Sequence, residues 1–361
     1  MARNWNFSAG PAAMPEAVLR QAQAGLLDWN GLGASVMELS HRGKPFMDLA
    51  AEINRDLRRL ASIPDEYTVL FLQGGATQHF AQIPMNLASE GEHADYIVSG
   101  HWGEKAVAEA APYVDARVVA SSADAGYRRL PSLPDELGAG AAYVHYTPNE
   151  TIHGVEHHDV PRVADGVPLV ADMSSNIFSR PLDVPRFGLI YAGAQKNLGP
   201  SGVVLMIVRR DLLERPGQRI ANILRYASQA GRDSMLNTPN TWGWYVVGLT
   251  VRWLLEQGGL EAVGQRNQAK ADLLYSTIDE SNGYYGCDVD PGARSRMNVR
   301  FRLHDAALDK LFLEETDAAG MIGLKGHRAI GGLRASLYNA VPPEAVAALA
   351  SFMRDFMRRH G

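Results

Sequence analysis

The sequence predicts an α/β protein with a large, mainly parallel, three-layer domain and a smaller C-terminal α+β domain. Between Tyr67 and Val208, apolar runs of strand length alternate with segments of helix length. This alternation is typical of a parallel sheet that is covered by helices on both faces. The composition changes after Asn282, where Met297–Arg302 alternates like a half-buried strand. The tail is therefore expected to fold differently from the alternating region.

Chain length supports this division. A chain of 361 residues is longer than most single cores and suggests about two domains. We expect a large domain over residues 17–264 and a small domain over residues 265–361. Residues 1–16 are expected to pack at the junction between them.

Composition argues against several kinds of partner. A net charge of −5 gives no broad attraction to nucleic acid or to anionic membranes. No apolar run approaches the roughly 20 residues that cross a bilayer, and the first residues lack the apolar core of a signal peptide. The single Cys287 excludes an intramolecular disulfide and fits a reducing compartment. We expect a cytoplasmic protein that binds neither nucleic acid nor membrane.

Periodicity, glycine and proline place the elements in order. Helices are predicted first at residues 11–27 and 46–60. The alternating region then predicts strands at residues 67–72, 95–98, 116–120, 141–145, 168–171, 187–191 and 203–208, with helices at 74–87 and 100–111. Beyond it, helices are predicted at 242–278 (interrupted at 258–259), 307–319 and 343–359, with strands at 297–302 and within 324–338.

Polar residues follow the strands of the alternating region. Thr77, Trp102, Thr151, Asp172 and Lys196 each end a predicted strand or come soon after one. Ligands of parallel sheets bind beyond the carboxyl ends of the strands. We therefore expect these five side chains to share one crevice.

Lys196 has two interpretations. It lies in the short loop Ala192–Gly202 between two apolar strands, among small residues. A desolvated lysine amine has a lowered pKa and can form a Schiff base with an aldehyde. A solvated lysine on a turn is equally compatible with the stretch, so the loop alone leaves the choice open.

Three further features are ambiguous singly and informative together. Gly74–Thr77 opens a helix whose free N–H groups can bind phosphate, although an ordinary helix start looks the same. Trp102 can stack on a planar ring or pack in the core. Asp172 can pair with a protonated ring nitrogen or cap a turn. With Lys196, these features predict a pyridoxal 5′-phosphate site.

Basic residues cluster in two other places. His41-Arg42 lies in a loop near the N-terminus, and His327-Arg328 lies shortly before Arg334. Arginines are usually solvated, but in glycine-rich loops they also bind carboxylate and phosphate. The three histidines within residues 153–158 lack a convincing set of further ligands, so no metal site is predicted.

Several short motifs are spread over nearly the whole chain. They are Phe7-Ser8-Ala9-Gly10-Pro11, Ser40-His41-Arg42-Gly43, Tyr191-Ala192-Gly193-Ala194-Gln195-Lys196-Asn197, Asn237-Thr238-Pro239, Lys325-Gly326-His327-Arg328 and Gly331-Gly332-Leu333-Arg334-Ala335-Ser336. Through them the chain resembles the phosphoserine aminotransferases, a class-V family of fold-type I enzymes that use pyridoxal phosphate.

The resemblance implies a role for each residue around the cofactor ring. Lys196 forms the Schiff base and then carries the proton of the reaction. Asp172 pairs with the pyridine nitrogen. Trp102 stacks on the ring, and Thr151 contacts its phenolic oxygen.

The resemblance also implies how the cofactor phosphate is held. Ala76, Thr77 and Gln195 bind it from one subunit. Asn237 and Thr238 reach it from the neighbouring subunit, so the active unit is implied to be a homodimer.

The implied substrates are small acids. Arg334 anchors the α-carboxylate, while His41, Arg42, His327 and Arg328 surround a distal phosphate or carboxylate. The implied reaction is a ping-pong transfer of the amine of glutamate to 3-phosphohydroxypyruvate, which gives 2-oxoglutarate and O-phospho-L-serine in serine biosynthesis. The pyridoxine-pathway compound 4-phosphohydroxy-L-threonine is a second implied product.

One position departs from the family pattern, and one alternative stays open. Some members have an arginine after the paired glycines, where this chain has Ala76-Thr77-Gln78. The distal phosphate is then left to the two His-Arg pairs. A cysteine desulfurase would need a cysteine within residues 321–339, which contain none, and an inactive relative should lack Lys196 or Asp172. The alternative is another fold-type I aminotransferase of small 2-oxo acids.

Overall fold

The computed structural model describes residues 3–361. Its strands are β1 (Trp5–Asn6), β2 (Tyr67–Leu72), β3 (His93–Val98), β4 (Asp115–Ser121), β5 (Val144–Tyr146), β6 (Asn149–Glu150), β7 (Val155–Glu156), β8 (Leu169–Asp172), β9 (Leu189–Gly193), β10 (Val204–Arg209), β11 (Tyr285–Gly286), β12 (Asn298–Leu303), β13 (Met321–Ile322) and β14 (Leu333–Ser336). Its helices are α1 (Glu16–Ala24), α2 (Lys44–Ala61), α3 (Gly75–Leu87), α4 (His101–Ala110), α5 (Arg210–Leu213), α6 (Tyr226–Ala230), α7 (Thr241–Glu256), α8 (Gly259–Asp279), α9 (Asp309–Ala318) and α10 (Pro343–His360).

The central sheet has seven strands in the order β2-β10-β9-β8-β5-β3-β4. The pairs β9–β8, β8–β5, β5–β3 and β3–β4 are parallel, whereas β10 is antiparallel to both of its neighbours. Six strands therefore run in one direction and β10 runs against them. The carboxyl ends of β2, β3, β5, β8 and β9 consequently meet at one edge of the sheet, which confirms the predicted α/β class.

Each face of the sheet is covered by helices because successive strand residues point to opposite sides. In β8, Leu169 and Ala171 belong to the hydrophobic cluster that contains α2 and α7. Val170 between them belongs to the cluster that contains α3 and α4. The sheet is therefore the middle layer of three. Packing on both faces fixes the positions of the strand ends from which the polar loops begin.

The C-terminal part contains a separate antiparallel sheet in the order β11-β12-β14. It shares a hydrophobic cluster with α8, α9 and α10, and Phe7 from the N-terminal segment is fully buried in that cluster. β1 pairs in parallel with β13. The expected boundary at residue 265 falls inside α8, so the division into two domains stays a prediction.

Several predicted elements have different bounds in the structure, and two of them differ for a clear local reason. α1 begins at Glu16 instead of Pro11, because the residue before Pro15 is disfavoured in helical conformation, and it ends before Gly25. Within residues 324–338 only Leu333–Ser336 is a strand, and the glycine-rich stretch before it is a loop. That loop carries His327 and Arg328.

Among residues 3–361, no helix is both long enough and apolar enough to span a bilayer.

Candidate active site

A cavity of about 360 Å³ lies at the carboxyl edge of the central sheet. The loops that follow β2, β3, β5, β8 and β9 enclose it. The predicted site residues that line it are Ala76, Thr77, Trp102, Thr151, Asp172, Gln195, Lys196, His327 and Arg334. Strand ends that are far apart in sequence thus supply one shared site.

Lys196 extends into the cavity from the loop between β9 and β10. Its Nζ donates a hydrogen bond to Thr151 Oγ1 at 2.7 Å and lies 5.7 Å from the centre of the Trp102 ring. Burial lowers the pKa of the amine to about 8, although the carboxylates of Asp172 and Glu150 oppose this shift. A substantial fraction of the amine is therefore neutral, and nucleophilic, slightly above neutral pH.

Asp172 ends β8 and is buried beneath the cavity. Its Oδ1 accepts hydrogen bonds from the backbone N–H of Ser174 at 3.0 Å and from Ser174 Oγ at 2.6 Å. Burial raises the pKa of the carboxyl, while these bonds and the charge of Lys196 lower it. Both bonds use Oδ1, which leaves Oδ2 for a ligand that carries a proton.

The helix start after β2 forms an open anion site. Gly74 has a left-handed φ of 89°, and α3 begins at Gly75 with no side-chain cap. The first N–H groups of a helix have no partner within it and bind anions readily. The cavity is lined by Ala76 and Thr77 from this first turn and by Gln195 from the loop that carries Lys196.

Trp102 lies in the first turn of α4 and forms one wall of the cavity. Its indole Nε1 is buried and has no hydrogen-bond partner among the described residues. The backbone N–H groups of Trp102 and Gly103 donate to the carboxylate of Glu150 at 3.1 and 2.8 Å. The backbone of Trp102 is thus held by Glu150, whereas no hydrogen bond within residues 3–361 holds the indole itself.

Glu150 was missed in the sequence, where it reads as part of a polar loop. The side chain is fully buried, and burial raises its pKa to about 7 against the two backbone hydrogen bonds. Glu150 itself lies behind the cavity lining. The residues that do line the cavity without having been predicted are Ala9, Gly10, Thr147, Asn149, Ile152, Ser174 and Ser175. Most of these residues are small or uncharged, so the sequence does not mark them as site residues. Only the N-terminal motif at residues 7–11 and the polar loop at residues 146–151 indicated that site residues lie nearby.

Arg334 and His327 bring positive charge to the cavity. Arg334 lies on β14, donates from Nη1 to the carbonyl of Thr151 at 3.3 Å, and has a buried Nε without a partner among residues 3–361. The His327 ring lies 6.3 Å from that of His101. Burial, followed by the charge of Arg334, lowers the pKa of His327. Arg334 therefore has donors available to an anionic ligand.

Five predicted residues do not line this cavity within one chain. They are His41 and Arg42 before α2, Asn237 and Thr238 before α7, and Arg328, which is exposed beside His327. Arg42, Asn237 and Thr238 are exposed as well. The roles predicted for these five residues stay predictions.

The three histidines near residue 155 have separate partners. His157 Nε2 lies 3.1 Å from Ser99 Oγ, and His158 Nδ1 lies 2.6 Å from Arg296 Nη2. No group of three or more histidine, cysteine, aspartate or glutamate side chains in the described part of the chain is arranged to hold a metal ion.

The fold and this site define the class of enzyme. The family model "Aminotransferase class-V" matches residues 4–349, and the chain belongs to this family. It is a pyridoxal-phosphate-dependent aminotransferase that acts on small molecules.

Individual relatives carry a more specific name. A protein from Stenotrophomonas maltophilia strain K279a, named phosphoserine aminotransferase, is 59% identical over 362 residues and covers 100% of both chains. The solved phosphoserine aminotransferase of Bacillus circulans subsp. alkalophilus is 47% identical, with a TM-score of 0.96 over 99% of each chain. The pyridoxal-phosphate-bound enzyme of Trichomonas vaginalis is 38% identical, with a TM-score of 0.89 over 98% of this chain and 100% of that one.

The donor set around the cavity fits pyridoxal phosphate. The buried carboxylate of Asp172 suits the ring nitrogen, and the partly neutral amine of Lys196 suits the aldehyde. The indole face of Trp102 suits the ring, and the uncapped start of α3 suits the phosphate. Gly10 packs beside the stem of Lys196, where an added Cβ would make ordinary contact at 3.4 Å from Cγ. The residues present can therefore hold the cofactor.

Proposed function

We propose that this aminotransferase exchanges the amine between glutamate and 3-phosphohydroxypyruvate, with O-phospho-L-serine as the product. The observation that carries the proposal is that Arg334 and His327 line the same cavity as the amine of Lys196. Both amino acids have an α-carboxylate and a second acidic group, and cationic donors suit both. The shared name of the full-length relatives supports the phosphorylated substrate.

The groups around the amine have defined tasks in this proposal. The bound cofactor supplies an electron sink for the electrons released at the substrate Cα. Lys196 takes the proton from Cα and returns it, since its amine is partly neutral and is oriented by Thr151. Asp172 keeps a proton on the ring nitrogen through its free oxygen. Trp102 holds the ring plane from one side.

The substrate is oriented by its two acidic ends. Arg334 binds the α-carboxylate, and its guanidinium is held in place by the carbonyl of Thr151. His327 and the adjacent Arg328 receive the distal phosphate or carboxylate. Because both distal groups are anions, one set of cations serves both half-reactions.

A second copy of the chain completes the site in this proposal. The His41-Arg42 pair and the Asn237-Thr238 pair lie outside the cavity of their own chain. We propose a homodimer in which Asn237-Thr238 reaches the partner's cofactor phosphate and His41-Arg42 reaches its distal substrate group.

A coupled assay tests the substrate. Glutamate is supplied with 3-phosphohydroxypyruvate, with the phosphorylated four-carbon 2-oxo acid that corresponds to 4-phosphohydroxy-L-threonine, or with hydroxypyruvate, which lacks the phosphate. We expect kcat/KM to be highest for 3-phosphohydroxypyruvate. A preference for hydroxypyruvate would contradict the proposal and favour another aminotransferase of small 2-oxo acids.

A further inference from the structure

Glu150 is a fully buried carboxylate directly behind the cavity. It ends β6, and the hydrogen bonds that it accepts come from the backbone amides of Trp102 and Gly103 rather than from a lysine or arginine. Burying an ionisable group is costly unless its oxygens are satisfied. These two amides therefore account for its place in the interior, and the carboxylate in turn fixes them.

The side chain of Glu150 packs closely against the first turn of α4. A Cβ added to Gly100 would lie 2.5 Å from Glu150 Cδ, so any larger residue would displace the carboxylate. A Cβ added to Gly103 would lie 3.5 Å from Glu150 Oε1 and 3.3 Å from Val98 Cα. The first turn of α4, which carries Trp102, thus rests directly on the carboxylate. A negative charge at a helix N-terminus also interacts favourably with the helix dipole.

Glu150 and the residue after it contact three parts of the site: the first turn of α4, Lys196 and Arg334. Glu150 holds the turn that carries Trp102. The next residue, Thr151, accepts from the amine of Lys196 through its hydroxyl and from Arg334 through its carbonyl. Two consecutive residues, one at the end of β6 and one in the turn after it, therefore contact the segments that carry the indole, the amine and the guanidinium.

We propose that Glu150 is a positioning residue that fixes the Trp102 indole against the cofactor ring by holding the first turn of α4. It acts through Trp102 and touches neither substrate nor cofactor. The proposal concerns cofactor binding and is independent of which 2-oxo acid the enzyme prefers, so its test and the substrate assay can fail separately.

The test measures pyridoxal phosphate binding to the cofactor-free protein. The dissociation constant and the circular dichroism of the bound cofactor are compared for wild type, Glu150→Gln, Trp102→Ala and the double variant. Glutamine keeps the size but loses the charge and one acceptor, so we expect affinity to fall about tenfold and the dichroism to weaken. In the Trp102→Ala background, most of the affinity loss caused by Glu150→Gln should disappear, and only the smaller effect of its charge on the pKa of Lys196 should remain.

Glu156 provides the matched control. It is a buried carboxylate on β7, which pairs with β6, but the hydrogen bonds that it accepts come from Arg296 and not from the first turn of α4. Glu156→Gln should lower the melting temperature while cofactor affinity and dichroism stay as in wild type. If Glu156→Gln weakens cofactor binding as much as Glu150→Gln does, the effect is general destabilisation and the proposal is wrong.

Two other results would overturn it. One is unchanged affinity and dichroism in Glu150→Gln, and the other is a full effect of Glu150→Gln in the Trp102→Ala background. Should Glu150→Gln fail to fold, Gly100→Ala displaces the same carboxylate without removing it. The same loss of affinity and dichroism is expected there, and wild-type values would contradict the proposal.

Discussion

The reactivity of Lys196 comes from burial more than from any single neighbour. Burial is the largest influence on its pKa and lowers it to about 8, even though Asp172 and Glu150 favour the charged amine. The two carboxylates keep the pKa from falling further. The amine is thus poised between a form that can attack an aldehyde and a form that can donate a proton.

This balance predicts a pH dependence. A neutral amine is needed to combine with pyridoxal phosphate, so the rate of combination with cofactor-free protein should rise with pH and level off above about pH 8. An ordinary lysine would give a rise that continues to about pH 10.4. The rate is followed by the absorbance of the bound cofactor, with butylamine as the reference for the cofactor's own titration.

Lys196→Ala is the control for this measurement and should show no covalent combination at any pH. If the rate for the wild-type protein rose with pH around the same midpoint as the rate for butylamine, the cavity would not lower the pKa of this amine.

The arginines are predicted to separate by substrate. Arg334→Ala should lower kcat/KM about equally for 3-phosphohydroxypyruvate and hydroxypyruvate, because both have an α-carboxylate. Arg42→Ala and Arg328→Ala should lower it for the phosphorylated acid alone, by about tenfold or more. The measurement is the ratio of kcat/KM for the two acids in each variant. Equal ratios in all three variants would show that the proposed anchors are not distinct.

Sequence patterns located some site residues better than others. Asp172, Trp102 and Lys196 could be found because the carboxyl ends of parallel strands converge, and each follows such an end. Glu150 could not, because nothing in a polar loop shows which side chain will turn inward. Ser174 is small and neutral, and its bond to Asp172 depends on the turn after β8.

At the scale of elements, Lys270 links α8 by hydrogen bonds to the segment that follows β14. It is a buried lysine whose Nζ donates to the carbonyls of Leu337, Tyr338 and Val341 at 2.7, 2.9 and 2.9 Å. These carbonyls lie between β14 and α10, where no strand partner satisfies them. Lys270 thus acts as a clamp on a segment without regular structure.

Removing this clamp should cost stability. Lys270→Met keeps the apolar stem but leaves up to three buried carbonyls without this donor, so the free energy of unfolding should fall by about 3 kcal/mol. Chemical denaturation measures the change. Lys310→Met removes an exposed lysine on α9 and should have little effect. A loss below about 0.5 kcal/mol for Lys270→Met would mean that water replaces the ammonium group.

Elements were predictable where they are apolar and regular. β2 was predicted with its observed bounds, since all of its residues but Thr68 are buried and polar residues flank it on both sides. β5 was placed at 141–145 but occupies Val144–Tyr146, because its register is set by pairing with β3 and β8. Pairing between distant strands leaves no local mark in the sequence.

At the scale of the whole molecule, the proposed homodimer predicts complementation. Lys196→Ala chains lack the amine, and chains with Asn237→Ala and Thr238→Ala lack the proposed partner contacts. A hybrid dimer has one site that combines an intact Lys196 with the intact pair of the other chain. Random mixing should therefore restore about a quarter of wild-type activity.

A chain with all three substitutions is the control, because mixing it with wild type creates no newly intact site. Activity of the first mixture equal to the mean of its two parents would indicate that each subunit is self-sufficient.

The pairing of β1 with β13 has a consequence for synthesis of the protein. Trp5 and Asn6 lie beside Met321 and Ile322, roughly 300 residues later in the chain, and Gly10 lies against Lys196. Trp5 and Asn6 leave the ribosome well before Met321 and Ile322, and they cannot pair with them until those residues have followed. The central sheet can form earlier, so the nascent enzyme has a folded scaffold before it has a finished site. A chain that ends before residue 321 lacks the strand that pairs with Trp5 and Asn6, and so lacks one of the contacts that hold the N-terminal segment beside Lys196.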